Sequence, residues 1–246
     1  MKNLLIKLSL IIALVVACGS ASAAFTDNAS TLFLYHCDST NANNTTPDDN
    51  SSGRTAHDLS LNWGGDTTMM PGVAGNNYLH FDGDDQCTVF NVYDDEDVVT
   101  LDCSFRVSEF PPAGEYRALM WTVSTRIYLV GDKIRADVVN AAGNDVLMDS
   151  TKALSLDTWY TVRLCTSNSS AQMELTVDDT TDTMATPDGL YWAAGYTYFL
   201  AGWDVNANPA RNYTGDLDEM RATTIPEPFT FGLIGLVGFL AFRRRK

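Results

Sequence analysis

The sequence predicts an all-β fold class, an antiparallel β-sandwich, over most of its 246 residues. Apolar and polar residues alternate with a period of two in about a dozen short segments, which is the pattern of strands that bury one face. No window repeats with the 3.6-residue period of an amphipathic helix, and clusters of turn-forming residues separate the segments. Many short strands in one domain are typical of two packed antiparallel sheets.

The first 23 residues have the three parts of a secretory signal peptide. Lys2 and Lys7 supply positive charge, residues 8–17 form an apolar core, and Ala21-Ser22-Ala23 is a cleavage site of the A-x-A type. We therefore expect export and a mature chain that begins just after this site. A second interpretation stays open, because Val15-Val16-Ala17-Cys18 resembles a lipobox in which the cysteine carries a lipid.

Residues 24–225 form one domain, and residues 226–246 form a separate C-terminal segment. The whole chain has 16 basic and 31 acidic residues. Six of the basic residues and one acidic residue lie in the terminal segments, so the domain has ten basic and thirty acidic residues and a net charge of −20. This charge argues against nucleic acid and anionic membranes as partners of the domain. It is compatible with divalent cations, and with acids that only keep a secreted β-protein soluble.

Four cysteines remain in the predicted mature domain: Cys37, Cys87, Cys103 and Cys165. An even count in an exported protein permits two disulfides, in any of three pairings. Their spacing is irregular and contains no C-x-x-C, which argues against structural zinc. The alternative is that some are buried free thiols.

The clearest strand is the segment 99–108, in which apolar and polar residues alternate without interruption. The residues predicted to face the core are Val99, Leu101, Cys103, Phe105 and Val107. The residues predicted to face solvent are Thr100, Asp102, Ser104, Arg106 and Ser108. The segment therefore predicts a strand with one buried and one solvated face.

Twelve further segments predict strands by the same pattern. They are residues 31–37, 58–62, 77–82, 87–93, 117–122, 126–130, 133–139, 145–148, 159–166, 172–177, 196–201 and 213–222. Gly131-Asp132 predicts a tight two-residue hairpin, and Asp178-Asp179 predicts a second one. The polar residues 38–54 are predicted to form a long exposed loop.

Four segments resemble, in order, the concanavalin A-like and laminin-G-like jelly-roll family. Residues 32–38 are similar to its opening strand, and residues 78–85 to its F-D-G-x-D-D element. Residues 157–162 resemble its T-W-Y/H-x-V strand, and residues 215–221 its closing G-x-I-D-E-V-R strand. The resemblance implies a jelly-roll β-sandwich and a lectin-like domain that binds glycans or matrix components.

The same resemblance implies one structural Ca²⁺ where the first and last strands meet. Asp38 ends the predicted first strand and Asp216 lies in the predicted last strand, so this pair is one candidate. Asp82, Asp84 and Asp85 around Gly83 form a second candidate, because calcium prefers carboxylate and carbonyl oxygens. The alternative for both is a set of capped turns and solvated acids.

Exposed aromatic residues are the candidates for glycan contacts. Trp192, Tyr196 and Trp203 adjoin glycine-rich turns and are predicted to be exposed. Trp121 and Trp159 lie in alternating strands and are predicted to be buried in the core.

No catalytic pattern is present, and the sequence predicts a non-enzyme. Jelly-roll glucanases resemble one another in an E-x-D-x-E or E-x-D-x-x-E strand, but the six glutamates of this chain, at 96, 109, 115, 174, 219 and 227, are too far apart to form it. Two aspartate pairs, Asp95 with Asp97 and Asp216 with Asp218, could replace it only if they were buried enough to hold a proton. Both lie in acidic segments that are predicted to be wet. A carbohydrate-active enzyme of the same fold and a purely structural surface protein stay as alternatives.

The C-terminal segment resembles the PEP-CTERM sorting signal. Pro226-Glu227-Pro228 precedes fourteen apolar residues and the basic run Arg243-Arg244-Arg245-Lys246. The resemblance implies an apolar helix held in the inner membrane, cleavage near the motif by an exosortase, and display on the cell surface or in the extracellular matrix of a Gram-negative bacterium. An ordinary membrane anchor is the alternative, although fourteen residues fall short of the about 20 that span a bilayer.

Overall fold

The chain folds as an antiparallel jelly-roll β-sandwich of two eight-stranded sheets. The computed structural model describes residues 25, 31–38, 45–46, 59–61, 67–72, 77–85, 87–90, 98–122, 124–167, 171–186, 198–202 and 211–224. The predicted signal peptide and sorting segment lie outside these residues, and their functions stay predictions. Within the described ranges, no helix is long and apolar enough to cross a membrane.

Sheet A contains the first and last strands of the domain. Its members are β1 (Thr31–Tyr35), β4 (Thr68–Pro71), β5 (Asn77–Asp82), β7 (Val98–Val107), β12 (Trp159–Ser167), β13 (Gln172–Val177), β14 (Thr180–Ala185) and β16 (Thr214–Thr224). Their order across the sheet is β14-β13-β12-β7-β16-β5-β4, and β1 pairs with β16 as well. All the pairings are antiparallel.

Sheet B packs on the other side of the core. Its members are β2 (Thr45–Thr46), β3 (Leu59–Ser60), β6 (Cys87–Phe90), β8 (Arg117–Trp121), β9 (Thr125–Val130), β10 (Lys133–Val139), β11 (Asp145–Asp149) and β15 (Tyr198–Ala201). Their order is β11-β10-β9-β8-β15-β6-β3-β2. Each of the thirteen predicted segments overlaps one of the sixteen strands.

The inner face of β7 confirms the predicted alternation where its side chains are described. Leu101, Cys103, Phe105 and Val107 are fully buried in the core cluster. The ring of Phe105 stacks on that of Tyr160 from β12, with centroids 5.8 Å apart. Alternate residues of both sheets fill the space between them, which fixes the register of each strand.

The outer face of β7 is solvated at Arg106 and Ser108, as the alternation predicts, but not along the rest of the strand. Thr100, Asp102 and Ser104 are buried there. The Asp102 carboxylate accepts hydrogen bonds from Arg163 Nε at 2.6 Å and from Arg221 Nη2 at 2.9 Å. The two long arginine side chains cover the strand and balance the buried charge, which the alternation alone cannot reveal.

Both predicted hairpins form. Gly131-Asp132 joins β9 to β10, and Gly131 has a φ of 58°. Asp178-Asp179 joins β13 to β14, where Asp178 has a φ of 50° and accepts a hydrogen bond from the Thr161 backbone at 2.9 Å. The second hairpin leads into an edge strand that the sequence pattern did not predict, because most of β14 is exposed.

Two other short strands also lie outside the predicted set. β4 is a second unpredicted edge strand of sheet A, and β2 lies within residues 38–54, which were predicted to be loop throughout. β2 pairs with β3 through Thr45 and Thr46. The loop prediction is therefore wrong at these two residues.

The four cysteines of the domain are free thiols, which is the alternative to the disulfides that their even count permits. Cys37, Cys87 and Cys103 are fully buried in the core cluster, and Cys165 is half-buried. Burial raises the pKa of the Cys87 thiol to about 12, against a partial opposing effect of its contact with Thr67. These thiols act as small core side chains.

Candidate ligand-binding surface

A row of five side chains crosses the outer face of sheet A. The strand register aligns Trp159 of β12, Arg106 of β7, Asp216 of β16, His80 of β5 and Thr68 of β4. We call these five residues the polar row. Each is followed or preceded by a residue that faces the core, so the row itself points away from the core. Five neighbouring strands span about 19 Å at about 4.8 Å per strand.

Asp216 is the centre of the polar row. Its side chain is 6% exposed, and both of its oxygens have partners. Arg106 Nε donates to Oδ2 at 2.6 Å, and His80 Nδ1 lies 2.8 Å from Oδ1. Partial burial alone would lower the pKa of Arg106, but the hydrogen bond and the charge of Asp216 outweigh it and raise that pKa above its usual value.

Two aromatic rings lie together beside the Arg106 guanidinium. Its central carbon lies 5.3 Å from the ring centroid of Tyr78 and 5.3 Å from that of Trp159. The two rings meet edge to face, with centroids 5.7 Å apart and planes at 73°. Arg106 Nη2 also lies 3.4 Å from the Tyr78 hydroxyl. Rings and guanidinium thus stabilise one another as a cation–π cluster.

A close backbone contact fixes Arg106 and Asp216 from below. Gly215 has a φ of 149°, and a Cβ there would lie 2.2 Å from the Arg106 carbonyl oxygen. The Tyr213 hydroxyl lies 2.7 Å from that oxygen and 3.2 Å from the Asp216 carbonyl oxygen. Only glycine permits this approach. The glycine that begins the closing family motif was the sequence signal for this support, but the sequence analysis did not use it.

The polar row reaches solvent. The Arg106 side chain is 31% exposed and that of His80 is 44% exposed, while Trp159 and Tyr78 are half-buried. The prediction that Trp159 lies in the core is wrong by one residue, because Tyr160 takes the core position and Trp159 pairs with Arg106 on the outer face. A one-residue difference in a strand moves a side chain to the opposite face.

A second group of acids lies farther along β16. Burial, Glu219 and Asp38 together raise the pKa of Asp218 to about 7. Glu219 is buried at a β-bulge with a φ of 45°, and its carboxylate accepts from the Phe25 backbone N–H and lies 3.2 Å from His36 Nδ1. The expectation that Asp216 and Asp218 are both wet and ionised is therefore wrong. Asp216 is buried against Arg106, and Asp218 holds its proton up to near-neutral pH.

The residues predicted to bind calcium have hydrogen-bond partners within the protein. Asp38 accepts a hydrogen bond from the Asn77 backbone N–H at 2.9 Å, and its charge helps to raise the pKa of Asp218 in the last strand. Asp216 pairs instead with Arg106 and His80. The second candidate is a self-contained turn, in which Asp85 accepts from the Asp82 N–H at 2.9 Å and Asp82 from the Asp84 N–H at 3.1 Å. Among the described residues, no three His, Cys, Asp or Glu side chains are placed to hold a metal ion.

Sheet B has an aromatic cluster on its own outer face. We call Tyr116, Trp121, Tyr128, Arg126 and Asp137 the sheet B cluster. The ring centroids of Tyr116 and Tyr128 are 4.9 Å apart, and the Arg126 guanidinium lies 4.7 Å from the Trp121 ring. Arg126 Nη1 donates to Asp137 Oδ2 at 2.7 Å, and the Tyr128 hydroxyl donates to the same oxygen at 3.2 Å. Trp121 and Tyr128 are buried, which agrees with the burial predicted for Trp121.

The aromatic residues first predicted to contact glycans lie outside the described residues. These are Trp192, Tyr196 and Trp203. The sorting residues Pro226, Glu227 and Pro228, and the aspartate pair Asp95 and Asp97, also lie outside them. Their roles stay predictions.

Comparison with known proteins relates the chain to others through its structure. No family model matches the sequence, and no curated protein matches it. The binding domain of Paraclostridial Mosquitocidal Protein 1 is similar in structure, with a TM-score of 0.59 and 13% sequence identity. The match covers 79% of this chain and 49% of that domain.

Two botulinum neurotoxin structures match to the same degree. The binding domain of botulinum neurotoxin DC in complex with SialylT matches with a TM-score of 0.57, 12% identity and coverage of 79% of this chain and 47% of that one. The serotype D ligand-binding domain in complex with N-acetylneuraminic acid matches with a TM-score of 0.57, 11% identity and coverage of 80% and 48%.

These matches establish the fold. This chain spans about half the length of each of the three structures. At identities of 11–13%, the likeness confirms the predicted jelly-roll β-sandwich and identifies no residue of a binding site.

Proposed function

We propose that the domain is a non-catalytic glycan-binding module and that the polar row, together with Tyr78, is its binding surface. One observation carries the proposal: two half-buried aromatic rings lie beside a partly exposed, hydrogen-bonded arginine on the outer face of sheet A. Tyr and Trp offer apolar faces on which the C–H groups of a sugar ring can pack. A few fixed polar groups beside such faces supply orientation and specificity.

The shape of the surface favours an extended ligand. The polar row runs about 19 Å across five strands, which is several times the width of one sugar ring. Its side chains lie at the level of the sheet, so a chain of sugars can lie across the strands. The solved structures with a sialylated ligand support a glycan as the class of ligand, although those ligands belong to proteins about twice the length of this chain.

The geometry of Asp216 and Asp218 favours binding over catalysis. Asp218, with a pKa of about 7, has the proton that a general acid needs. A glycosidase also needs a second carboxylate that reaches the sugar or its attacking water. Asp216 is the candidate for that second group, but its two oxygens already accept from Arg106 and face His80, and it is buried. The fold neighbours are binding domains as well.

A glycan array followed by calorimetry with the full-length chain tests the proposal. We expect Trp159→Ala and Tyr78→Ala to weaken binding of any glycan that the array identifies by at least about tenfold, since stacking on an aromatic ring contributes on the order of 1 kcal/mol or more. Trp121→Ala is the matched control, because it removes a tryptophan from the opposite outer face. Trp192→Ala tests the aromatic residues first predicted from sequence.

Three results would contradict the proposal. Binding that survives Trp159→Ala and is lost in Trp192→Ala moves the site to the region predicted from sequence. Absence of binding to every glycan on the array favours a structural surface protein. Release of reducing ends from a polysaccharide, abolished by Asp218→Asn, makes the domain an enzyme.

We propose further that the protein is exported and displayed on the cell surface or in the extracellular matrix after an exosortase cleaves it. The support is the order of sequence features at both ends of the chain. Glu227→Ala should leave full-length protein in the inner membrane, whereas Glu109→Ala in the domain should not. Normal loss of the tail in the Glu227 variant would refute exosortase sorting.

A further inference from the structure

We infer that the polar row recognises a carboxylate, so that the ligand is an acidic glycan of uronic or sialic acid residues. The inference rests on the proposed glycan-binding role of the same surface and names the class of sugar that it takes. It rests on Arg106, a charged group of the row that is exposed to solvent and still has hydrogen-bond donors for a ligand.

The charge that the polar row offers to a ligand is positive. Asp216 is the one carboxylate in the row, and it is buried beneath its neighbours with both oxygens engaged. Arg106 is 31% exposed, uses Nε for Asp216, and places Nη2 at 3.4 Å from the Tyr78 hydroxyl. Among the described residues, its Nη1 has no hydrogen-bond partner, and Nη2 uses one of its two hydrogens for Tyr78, so each terminal nitrogen has a hydrogen left for a ligand.

The guanidinium is held ready for a planar anion. The bond from Nε to Asp216 and the rings of Tyr78 and Trp159 restrict its rotation. A guanidinium whose two terminal nitrogens each have a hydrogen to spare matches the two oxygens of a carboxylate in a bidentate pair. Ordering a long side chain before binding also removes part of the entropy cost of association.

The two rings define where the sugar itself lies. Trp159 and Tyr78 contact each other beside the guanidinium, so a sugar ring that packs on either of them brings its substituents within reach of Arg106. A uronic or sialic acid residue carries its carboxylate directly on the ring. One residue of the glycan can therefore make both contacts.

The net charge of −20 on the domain does not oppose this contact strongly. Charges farther away than the Debye length, about 8 Å at physiological salt, are largely screened. A bidentate pair is a contact at hydrogen-bonding distance and survives that screening. The test is therefore made at about 0.15 M salt.

The experiment compares matched probes that differ only in whether their carboxylates are free or methyl-esterified. Tetragalacturonate and its methyl ester form one pair, and sialyllactose and its methyl ester form another. A sulfated galactan tetrasaccharide without carboxylates tests the alternative anion, and a neutral glycan panel completes the set. We expect the full-length chain to bind the free acid of at least one pair at least tenfold more tightly than its ester.

Two variants assign that preference to Arg106. Arg106→Lys keeps the positive charge and a partner for Asp216 but loses the fork, so the acid-to-ester ratio should fall below about threefold. Trp159→Ala should weaken the acid and the ester together. If Arg106→Lys fails to fold, Asp216→Asn is the second variant, and it should keep or increase the preference for the acid because it removes the negative charge beneath the guanidinium.

The outcomes separate this inference from the proposed function. Equal affinity for acid and ester, tighter binding of the sulfated probe, or a ratio unchanged in Arg106→Lys would each overturn the carboxylate inference and leave the glycan surface standing. Binding to the neutral panel alone would do the same. If no probe binds, the proposed function fails together with the inference.

Discussion

The two outer faces of the sandwich carry the same combination of side chains in different surroundings. In the polar row, Arg106 pairs with Asp216 at 2.6 Å and lies beside Trp159. In the sheet B cluster, Arg126 pairs with Asp137 at 2.7 Å and lies over Trp121. The two faces differ in solvent exposure: Trp121 is 5% exposed, whereas Trp159 is half-buried.

The residue composition of such a cluster therefore does not distinguish a binding surface from a small core. An arginine stacked on tryptophan and paired with aspartate stabilises the fold when it is covered, because the rings lose water on folding. The same set is available to a ligand when it is open. The predictions below test whether the two faces behave as these surroundings require.

The largest expected effect is on the covered face. Trp121→Ala should lower the free energy of unfolding by about 3–5 kcal/mol, because it empties a buried site. Denaturant unfolding measures this loss, and calorimetry on the folded protein should give unchanged glycan affinity. A loss below about 1 kcal/mol would show that the sheet B cluster is not a core.

The two buried carboxylates offer a direct comparison. Asp137→Asn should destabilise the protein by about 3 kcal/mol, because it leaves the largely covered Arg126 with only the more distant, exposed Asp145 as counter-charge. Asp216→Asn should cost less, about 1–2 kcal/mol, since water can reach Arg106. Urea unfolding of both variants in one buffer gives the ranking. Equal losses of stability in the two variants, or the reverse order, would contradict the difference in solvent exposure between Arg126 and Arg106.

Asp218 provides the pH-dependent test. Its pKa of about 7 in the native state lies above the ordinary value of about 3.9. The native state therefore binds more protons than the unfolded state between these values, and stability falls as pH rises through this range. Asp218→Asn removes the effect, so it should stabilise the protein by about 2 kcal/mol at pH 8, allowing for solvent screening, and by less than half of that at pH 5.

Melting curves at the two pH values measure this change, with Asp84→Asn as the control for an exposed aspartate. No arginine or lysine among the described residues forms an ion pair with Asp218, in contrast to Asp216 and Asp137. A stabilisation that is the same at pH 5 and pH 8 would mean that Asp218 is ionised throughout.

The smallest expected effect on stability is at the open face. Trp159→Ala should cost no more than about 1 kcal/mol, because the ring is only half-buried and its loss opens no internal cavity. Thermal unfolding measures the cost. A loss as large as that of Trp121→Ala would place Trp159 in the fold rather than in the binding surface.

The fold was predictable where one face of a strand is apolar and the other is polar. The bounds predicted for β5, β10 and β13 are those observed, because alternation and turn residues act together there. β4 and β14 were not predicted, because edge strands with mostly exposed side chains carry little periodic signal. The resemblance to a jelly-roll family supplied the architecture, whereas the order of the strands in each sheet was not predicted, because local patterns do not contain it.

The candidate site was much less predictable. Arg106, His80 and Asp216 come from three strands distant in sequence, and only their register brings them into one row. Trp159 was predicted to lie in the core because it belongs to an alternating strand. Only the register of that strand with β7 shows that Trp159 lies on the outer face. The location of the site therefore depends on how the strands pair, and the chemistry of single residues does not reveal it.

The antiparallel pairing of β1 with β16 has a mechanical consequence. Thr31 lies opposite Thr223, so the chain enters and leaves the domain at one end of sheet A. Asp216 is seven residues from that end along β16, about 23 Å away. A ligand that pulls on the polar row against a tether beyond Thr224 would load β16 along its own length. The backbone hydrogen bonds across its nine register pairs with β7 would then resist in shear, all together.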